Sequence, residues 1–211
     1  ISPDDIGPPN LATITKRLFN IAYRDPEGYV DLVPGSNKLM YLVLGKSEKS
    51  TKPMETRFHL FIERAEKKYD LIFIDCHPAG SFLTKSALMM SDMVITPVVP
   101  DSYSQRGLVL MSDFIEYISN FGIRSPKLKV VFNKIQWSNA DQNLISSIRQ
   151  NESFGYSCIE SVLHVSNTIA DSAKEIGPSW RRMMQWSKKP WKERVKIELN
   201  KIFEELFESS N

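Results

Sequence analysis

The chain has 211 residues, 42% of them hydrophobic and 25% charged, and a net charge of +2 at neutral pH. That length and balance suit one soluble α/β domain spanning residues 1–211 with a sizeable core, and the overall charge is too small to imply a polyanionic partner by itself. No apolar stretch is long enough to cross a bilayer, no signal-peptide pattern opens the sequence, and Cys76 and Cys158 lie far apart without metal-ligand spacing. Two such thiols fit a reducing cytoplasm.

Residues 1–28 are rich in turn formers around one stretch, Leu11 to Ala22, whose pattern predicts a helix. Tyr29–Val33 reads as a short strand stopped by Pro34-Gly35. From Met54 the apolar residues Phe58, Phe61, Ile62, Ala65 and Tyr69 recur at a helical period. A strand over 70–75 follows at once, then a helix to Met90 capped by Ser81, and a strand over 93–99. A long amphipathic helix covers 103–120, and Leu128 to Phe132 forms another strand that leads into Asn133-Lys134. Helices over 139–150 and 166–176 flank a strand at 157–163, and 191–208 forms a last amphipathic helix. Strands alternating with helices of this length predict βαβ units and a mainly parallel, doubly wound sheet in three layers.

The apolar run Leu71-Ile72-Phe73-Ile74 ends on Asp75, and a loop with Pro78 and Gly80 follows. In an open parallel sheet, ligands gather at the carboxyl ends of strands. A lone acid there is placed to hold a metal ion through water beside a nucleotide phosphate. The plainer reading is a buried strand that reaches a surface carboxylate.

The order strand, Asp-Cys-x-Pro, capped helix, strand, Pro-x-x-Pro, then Gly107 in a long helix resembles the Walker B half of the ParA/MinD-type partition ATPases over residues 67–121. Weaker likenesses flank it: Tyr29–Ser36 (YVDLVPGS), Ser166–Gly177 (SNTIADSAKEIG) and the helix 191–208. The resemblance implies a P-loop protein that dimerises on binding ATP. It makes Asp75 the catalytic-site acid that binds Mg²⁺ through water, and puts Pro78 and Gly80 in the loop that senses the γ-phosphate. It places Asn133 against adenine, and Pro100 and Asp101 along the nucleotide and the dimer seam. The residues alone leave Asn133 as a turn or cap residue and Asp101 as the N-cap of the helix from 103. His77 departs from the family pattern, which has proline there.

Phosphates need backbone N–H groups in a Gly-rich loop together with a lysine. Gly45-Lys46-Ser47 has the final letters of that motif, but the position for its first glycine is Met40 and the intervening residues all carry Cβ atoms. The family's P-loop lies on a first, central strand that has no counterpart before Tyr29. A sheet lacking that strand would expose backbone donors and acceptors on two inner edges. With the Ile1 start, this leads us to expect the C-terminal portion of a longer protein; a degenerate relative with a rearranged sheet is the other reading.

Between Lys174 and Lys201, nine Lys or Arg stand against three Glu, with Trp180, Trp186 and Trp191 among them. Such clusters attract phosphate backbones without sequence preference. Arg181, Arg182, Lys188 and Lys189 are the candidate DNA contacts; the bland alternative is a solvated loop with the tryptophans packed inward. Glu204, Glu205 and Glu208 would repel anionic lipid, so no membrane partner is expected.

Two functions follow. One is a ParA-like ATP- and Mg²⁺-dependent homodimeric switch that binds nonspecific DNA and is stimulated by a ParB-like partner. The other is a non-catalytic module that binds DNA or a protein through the basic segment, without ATP.

Overall fold

A computed structural model of the chain describes residues 11–21, 28–35, 48–76, 81–120, 124–167, 169–170 and 190–207. The chain groups into two compact units, residues 1–90 and 91–211.

In the first unit, α1 (Leu11–Ile14) is a single turn, and β1 (Lys16–Ile21) pairs antiparallel with β2 (Gly28–Leu32). The helix expected over Leu11 to Ala22 is therefore corrected: its second half is a strand. Hairpin pairing satisfies the backbone from Lys16 to Ile21 and overrides a local helical pattern. Asp31 anchors the hairpin. Its carboxylate, with a side chain only 6% exposed, accepts hydrogen bonds from Arg17 Nε and from the Tyr69 hydroxyl at 2.7 Å, with Lys68 Nζ at 3.8 Å. The Arg17 guanidinium lies 3.8 Å from the centre of the Tyr29 ring. The Tyr69 hydrogen bond first, and the Arg17 contact second, hold the Asp31 carboxyl below its ordinary value.

α2 (Glu48–Glu66) starts earlier than its apolar period suggests, with Pro53 in its second turn. The fixed φ of proline is helical and costs only one backbone bond there. Ile62 and Ala65 form its buried stripe, and α2 packs on α3 (Phe82–Met90). The Ser81 hydroxyl accepts from Thr84 N at 3.3 Å, as its N-cap assignment expects. The strand expected at 70–75 is not formed: Leu71–Cys76 enters no ladder among the described residues, and Phe73 is 72% exposed. A single extended segment leaves its backbone groups unpaired, so composition alone does not make it a strand.

The second unit is a three-stranded parallel sheet, ordered β3 (Met93–Val98), β4 (Lys127–Ile135), β5 (Cys158–His164). β4 is central, and its inner residues Val130, Val131 and Phe132 are all buried, the continuous apolar signature of a strand covered on both faces. On one face Val98, Val130, Phe132 and Ile135 pack with Leu108 of α4 (Ser102–Ser119), Ile145 and Ile148 of α5 (Asn139–Arg149) and Phe154. On the other, Val131 and Ile159 pack with Ile202 and Leu206 of α6 (Pro190–Phe207). Within this unit the three layers expected from the sequence are present, and its five predicted elements that fall on fully described residues all form, four within a residue or two and β4 running three residues past Phe132 to Ile135. The helix expected at 166–176 is described only at its start, where Ala170 N donates to Ser166 O.

β5 is an edge strand, and α6 covers its open side chemically as well as sterically. The Glu205 carboxylate accepts from Glu160 N at 2.7 Å and Ser161 N at 2.9 Å. One heptad earlier, Glu198 accepts from His164 N at 3.1 Å. Two helix carboxylates thus satisfy backbone donors that an uncovered edge would leave to solvent or to another chain. β3 pairs with β4 alone among the described strands, so its other edge carries no ladder.

Candidate functional site

β3 and β4 run parallel in the register Val98↔Phe132, so Pro100 and Asn133 both lie at the carboxyl end of the sheet, where its two strands finish side by side. The backbone there is irregular. Register shifts between Asn133 and Ile135 against β5, and Lys134 takes a φ of 57°, a left-handed conformation uncommon for a residue with a Cβ. Asn133 supports it: its Oδ1 accepts from Lys134 N at 2.8 Å. The asparagine is half-buried and its carbonyl oxygen faces its own backbone, the turn role that the residue alone suggested.

Asp101 caps α4. Its Oδ1 accepts from Tyr103 N at 3.0 Å and from Ser104 N at 2.7 Å, and the Ser104 hydroxyl donates to Val99 O at 2.6 Å. The Ser104 side chain first, then the two amides, hold the Asp101 carboxyl below its ordinary value. Its negative charge is thereby committed to a helix N-terminus.

The same edge holds a cluster that the sequence did not suggest. Trp137, just past β4, stacks on His164, the last residue of β5, with ring centres 3.9 Å apart and planes 12° apart. His164 is buried, and its Nδ1 lies 2.9 Å from Glu198 Oε1, which Arg194 Nε also approaches at 3.4 Å. Glu198 thus receives both the backbone and the ring of His164, and fixes the ring on which Trp137 lies. Trp137 itself is 76% exposed. The one readable signal was a tryptophan among polar turn residues, Gln136-Trp137-Ser138, which capping of α5 by Ser138 explains only in part.

In the first unit, Asp75 ends the Leu71–Cys76 segment and is exposed; among the described residues no hydrogen bond or ion pair engages its carboxylate. Partial burial, and then the charge of Asp75, push the Cys76 thiol up. A single available carboxylate suits Mg²⁺, which keeps most of its waters and is held by one or two carboxylates plus phosphate oxygens. It does not suit an all-protein metal cage, and among the described residues no group of three His, Cys, Asp or Glu could form one. Pro78 and Gly80, Gly45-Lys46-Ser47, and Arg181, Arg182, Lys188 and Lys189 lie outside the described residues. Pro100, Asp101 and Asn133 thus all lie at the carboxyl end of the sheet, while Asp75 belongs to the other unit.

Comparison with known proteins places this arrangement. The family described as AAA domain matches residues 11–130, more than half of the chain. A ParA family protein of Chlamydia trachomatis is 29% identical over 91 residues, 43% of this chain and 36% of that one. A ParA family protein of Mycoplasma pneumoniae is 26% identical over 102 residues, 48% and 36% respectively. An uncharacterized protein of Pseudomonas putida is 34% identical over 114 residues, 54% and 41%. The chain therefore spans only about a third to two fifths of the length of these relatives. Two solved structures share the fold at 16% identity. A plasmid partition protein from Borrelia burgdorferi aligns with a TM-score of 0.56 over 85% of this chain and 64% of that one. A putative plasmid partition protein from Borrelia burgdorferi B31, bound to AMPPNP, gives 0.58 over 85% and 65%. The fold is that of a P-loop NTPase, and the chain belongs to the ParA-type P-loop ATPase family.

Proposed function

We propose that the chain forms the metal- and base-facing part of a ParA-like, ATP-dependent dimerising switch for DNA partition, acting in the cytoplasm. Both units belong to one such domain, and the phosphate cradle is supplied by residues outside these 211. ATP and Mg²⁺ bind between two copies. Asp75 holds the metal through water, Pro78 lies in the loop that follows the γ-phosphate, and Asn133 meets the adenine. Pro100 and Asp101 line the nucleotide and the seam. Dimerisation brings Arg181, Arg182, Lys188 and Lys189 of two copies together as a surface for nonspecific DNA, and hydrolysis, stimulated by a ParB-like partner, disperses it.

The observation that carries this reading is Asp75 itself: an exposed carboxylate, unengaged among the described residues, at the end of an apolar segment inside the matched family region. The relationship to a solved partition protein bound to AMPPNP supports a nucleotide as the ligand. The test is sedimentation of the full-length polypeptide that contains this sequence. Wild type should dimerise with AMPPNP and Mg²⁺ and be monomeric with either alone. Asp75→Ala should abolish the Mg²⁺-dependent dimer, and an unchanged dimer in that variant would sink the assignment.

The local excess of six positive charges between Lys174 and Lys201 favours a second reading, a module that binds DNA or a partner protein through this segment without ATP. It requires DNA binding that is steeply salt-dependent and indifferent to nucleotide.

A further inference from the structure

The Trp137–His164 pair at the carboxyl end of the sheet has a geometry that its own fold does not exhaust. The ring centres are 3.9 Å apart with planes at 12°, so the imidazole covers one face of the indole. The other face is open to solvent, and Trp137 remains 76% exposed. Covering His164 explains one face of Trp137 and no more.

The platform is held in place before any ligand arrives. His164 is buried, its backbone N–H donates to Glu198 Oε2 at 3.1 Å, and its ring Nδ1 lies 2.9 Å from Glu198 Oε1. In that second contact the ring donates and the carboxylate accepts, which fixes the imidazole in one orientation. The indole lying on it is ordered in turn. A planar ligand that stacks on its open face pays little for immobilising the side chain.

Its place in the fold says which ligand. Ile135 pairs with His164 and Asn133 with Leu163. The stack therefore stands at the tips of the two strands that carry Asn133, and Asn133 is only roughly 7 Å back along β4 from Ile135. Ligands of open parallel sheets gather at this end. Between the two, Lys134 takes its left-handed φ of 57°, and such backbone outliers concentrate at ligand sites. Asn133 alone gives a base little to hold. Its Oδ1 already accepts from Lys134 N at 2.8 Å, which leaves chiefly the amide N–H groups to mark one edge of a ring. A heterocycle is gripped mainly by its faces, and the open indole is the group there that can do so.

We infer that Trp137 is a base-stacking residue: its open face receives the purine ring of the nucleotide, with His164 and Glu198 as positioning residues beneath it. The inference rests on the nucleotide reading proposed above and adds to it the group that holds the base. Two fused rings overlap the indole more fully than a single ring does, so the platform favours purine over pyrimidine triphosphates.

Titration calorimetry of AMPPNP with Mg²⁺ into the full-length polypeptide tests it. Trp137→Ala should weaken binding by about tenfold or more, Trp137→Leu by a similar factor, and Trp137→Phe should stay within about threefold of wild type. Leucine and phenylalanine are both large and apolar, so their difference isolates stacking even if alanine loosens the turn. Displacement of AMPPNP should need at least about tenfold more UTP than ATP in wild type, and that gap should narrow in Trp137→Ala. The inference is overturned if Trp137→Ala binds AMPPNP as wild type does, if Trp137→Leu matches Trp137→Phe, or if UTP displaces as well as ATP. Any of these, with Asp75→Ala still abolishing the Mg²⁺-dependent dimer, leaves the nucleotide switch standing. A wild type that binds no AMPPNP overturns both.

Discussion

Glu205→Ala should destabilise the second unit by about 2 kcal/mol. The carboxylate receives two backbone amides of edge strand β5, at 2.7 Å and 2.9 Å. A hydrogen bond to a charged acceptor contributes about 1.5–3 kcal/mol when its loss leaves the partner unsatisfied, so two could reach about 3–6 kcal/mol. Glu160 is exposed, however, and Ser161 half-buried, so water reaches part of the vacated site. That discount brings the expectation to the lower figure. Glu205→Gln keeps one acceptor oxygen and should cost roughly half as much. The control is Glu204→Ala, on the exposed side of the same helix turn, which should stay within about 0.5 kcal/mol of wild type. Urea unfolding followed by circular dichroism reads all three, and amide exchange at Glu160 and Ser161 should accelerate in Glu205→Ala. If that variant is no less stable than Glu204→Ala, the carboxylate does not secure the strand edge.

Gly155→Ala should lower stability by about 2 kcal/mol or more, because the added Cβ would lie 2.1 Å from the Arg149 carbonyl oxygen, a backbone atom at the end of α5 that cannot swing aside; thermal unfolding checks it. The Asp31 and Asp101 carboxyls are both held below their ordinary values, the first by Tyr69 and Arg17, the second by Ser104 and the amides of α4. A depressed folded value contributes stability above the unfolded value of about 4 and loses it as pH falls through the folded one. Acidification below about pH 4 should therefore destabilise wild type more steeply than the Asp31→Asn/Asp101→Asn variant; parallel curves would remove both carboxylates from the acid response.

The second unit was legible in the sequence because its elements carry the period of their surroundings. β4 is apolar on both faces and buried on both, and α4 shows a clean stripe against it. The first unit was less legible. Lys16–Ile21 reads as the continuation of a helix because its strand partner, Gly28–Leu32, is a separate segment of the chain, and pairing between segments leaves no mark in either alone. Leu71–Cys76 shows the opposite case. Its composition is that of a strand, but a strand exists only as part of a ladder, and this segment has none among the described residues. At the candidate site, Asp101 and Asn133 were readable as cap and turn because those roles are local. The Trp137–His164–Glu198 cluster was not, since it joins three elements separated by 27 and 34 residues. In the sequence Glu205 mattered only as an acid unfavourable to lipid and Glu198 only as one of three acids in the basic segment, whereas their spacing of seven residues is what lets both reach the edge of β5.

The central claim is that nucleotide governs what this protein binds. It is tested most directly by the affinity of the full-length polypeptide for a nonspecific DNA duplex, measured by fluorescence anisotropy with AMPPNP and Mg²⁺, with ADP and Mg²⁺, and with no nucleotide. The switch predicts tight, steeply salt-dependent binding with AMPPNP alone, lost on Asp75→Ala. Equal affinity in all three conditions would contradict it, and would identify the chain as a module that binds without ATP.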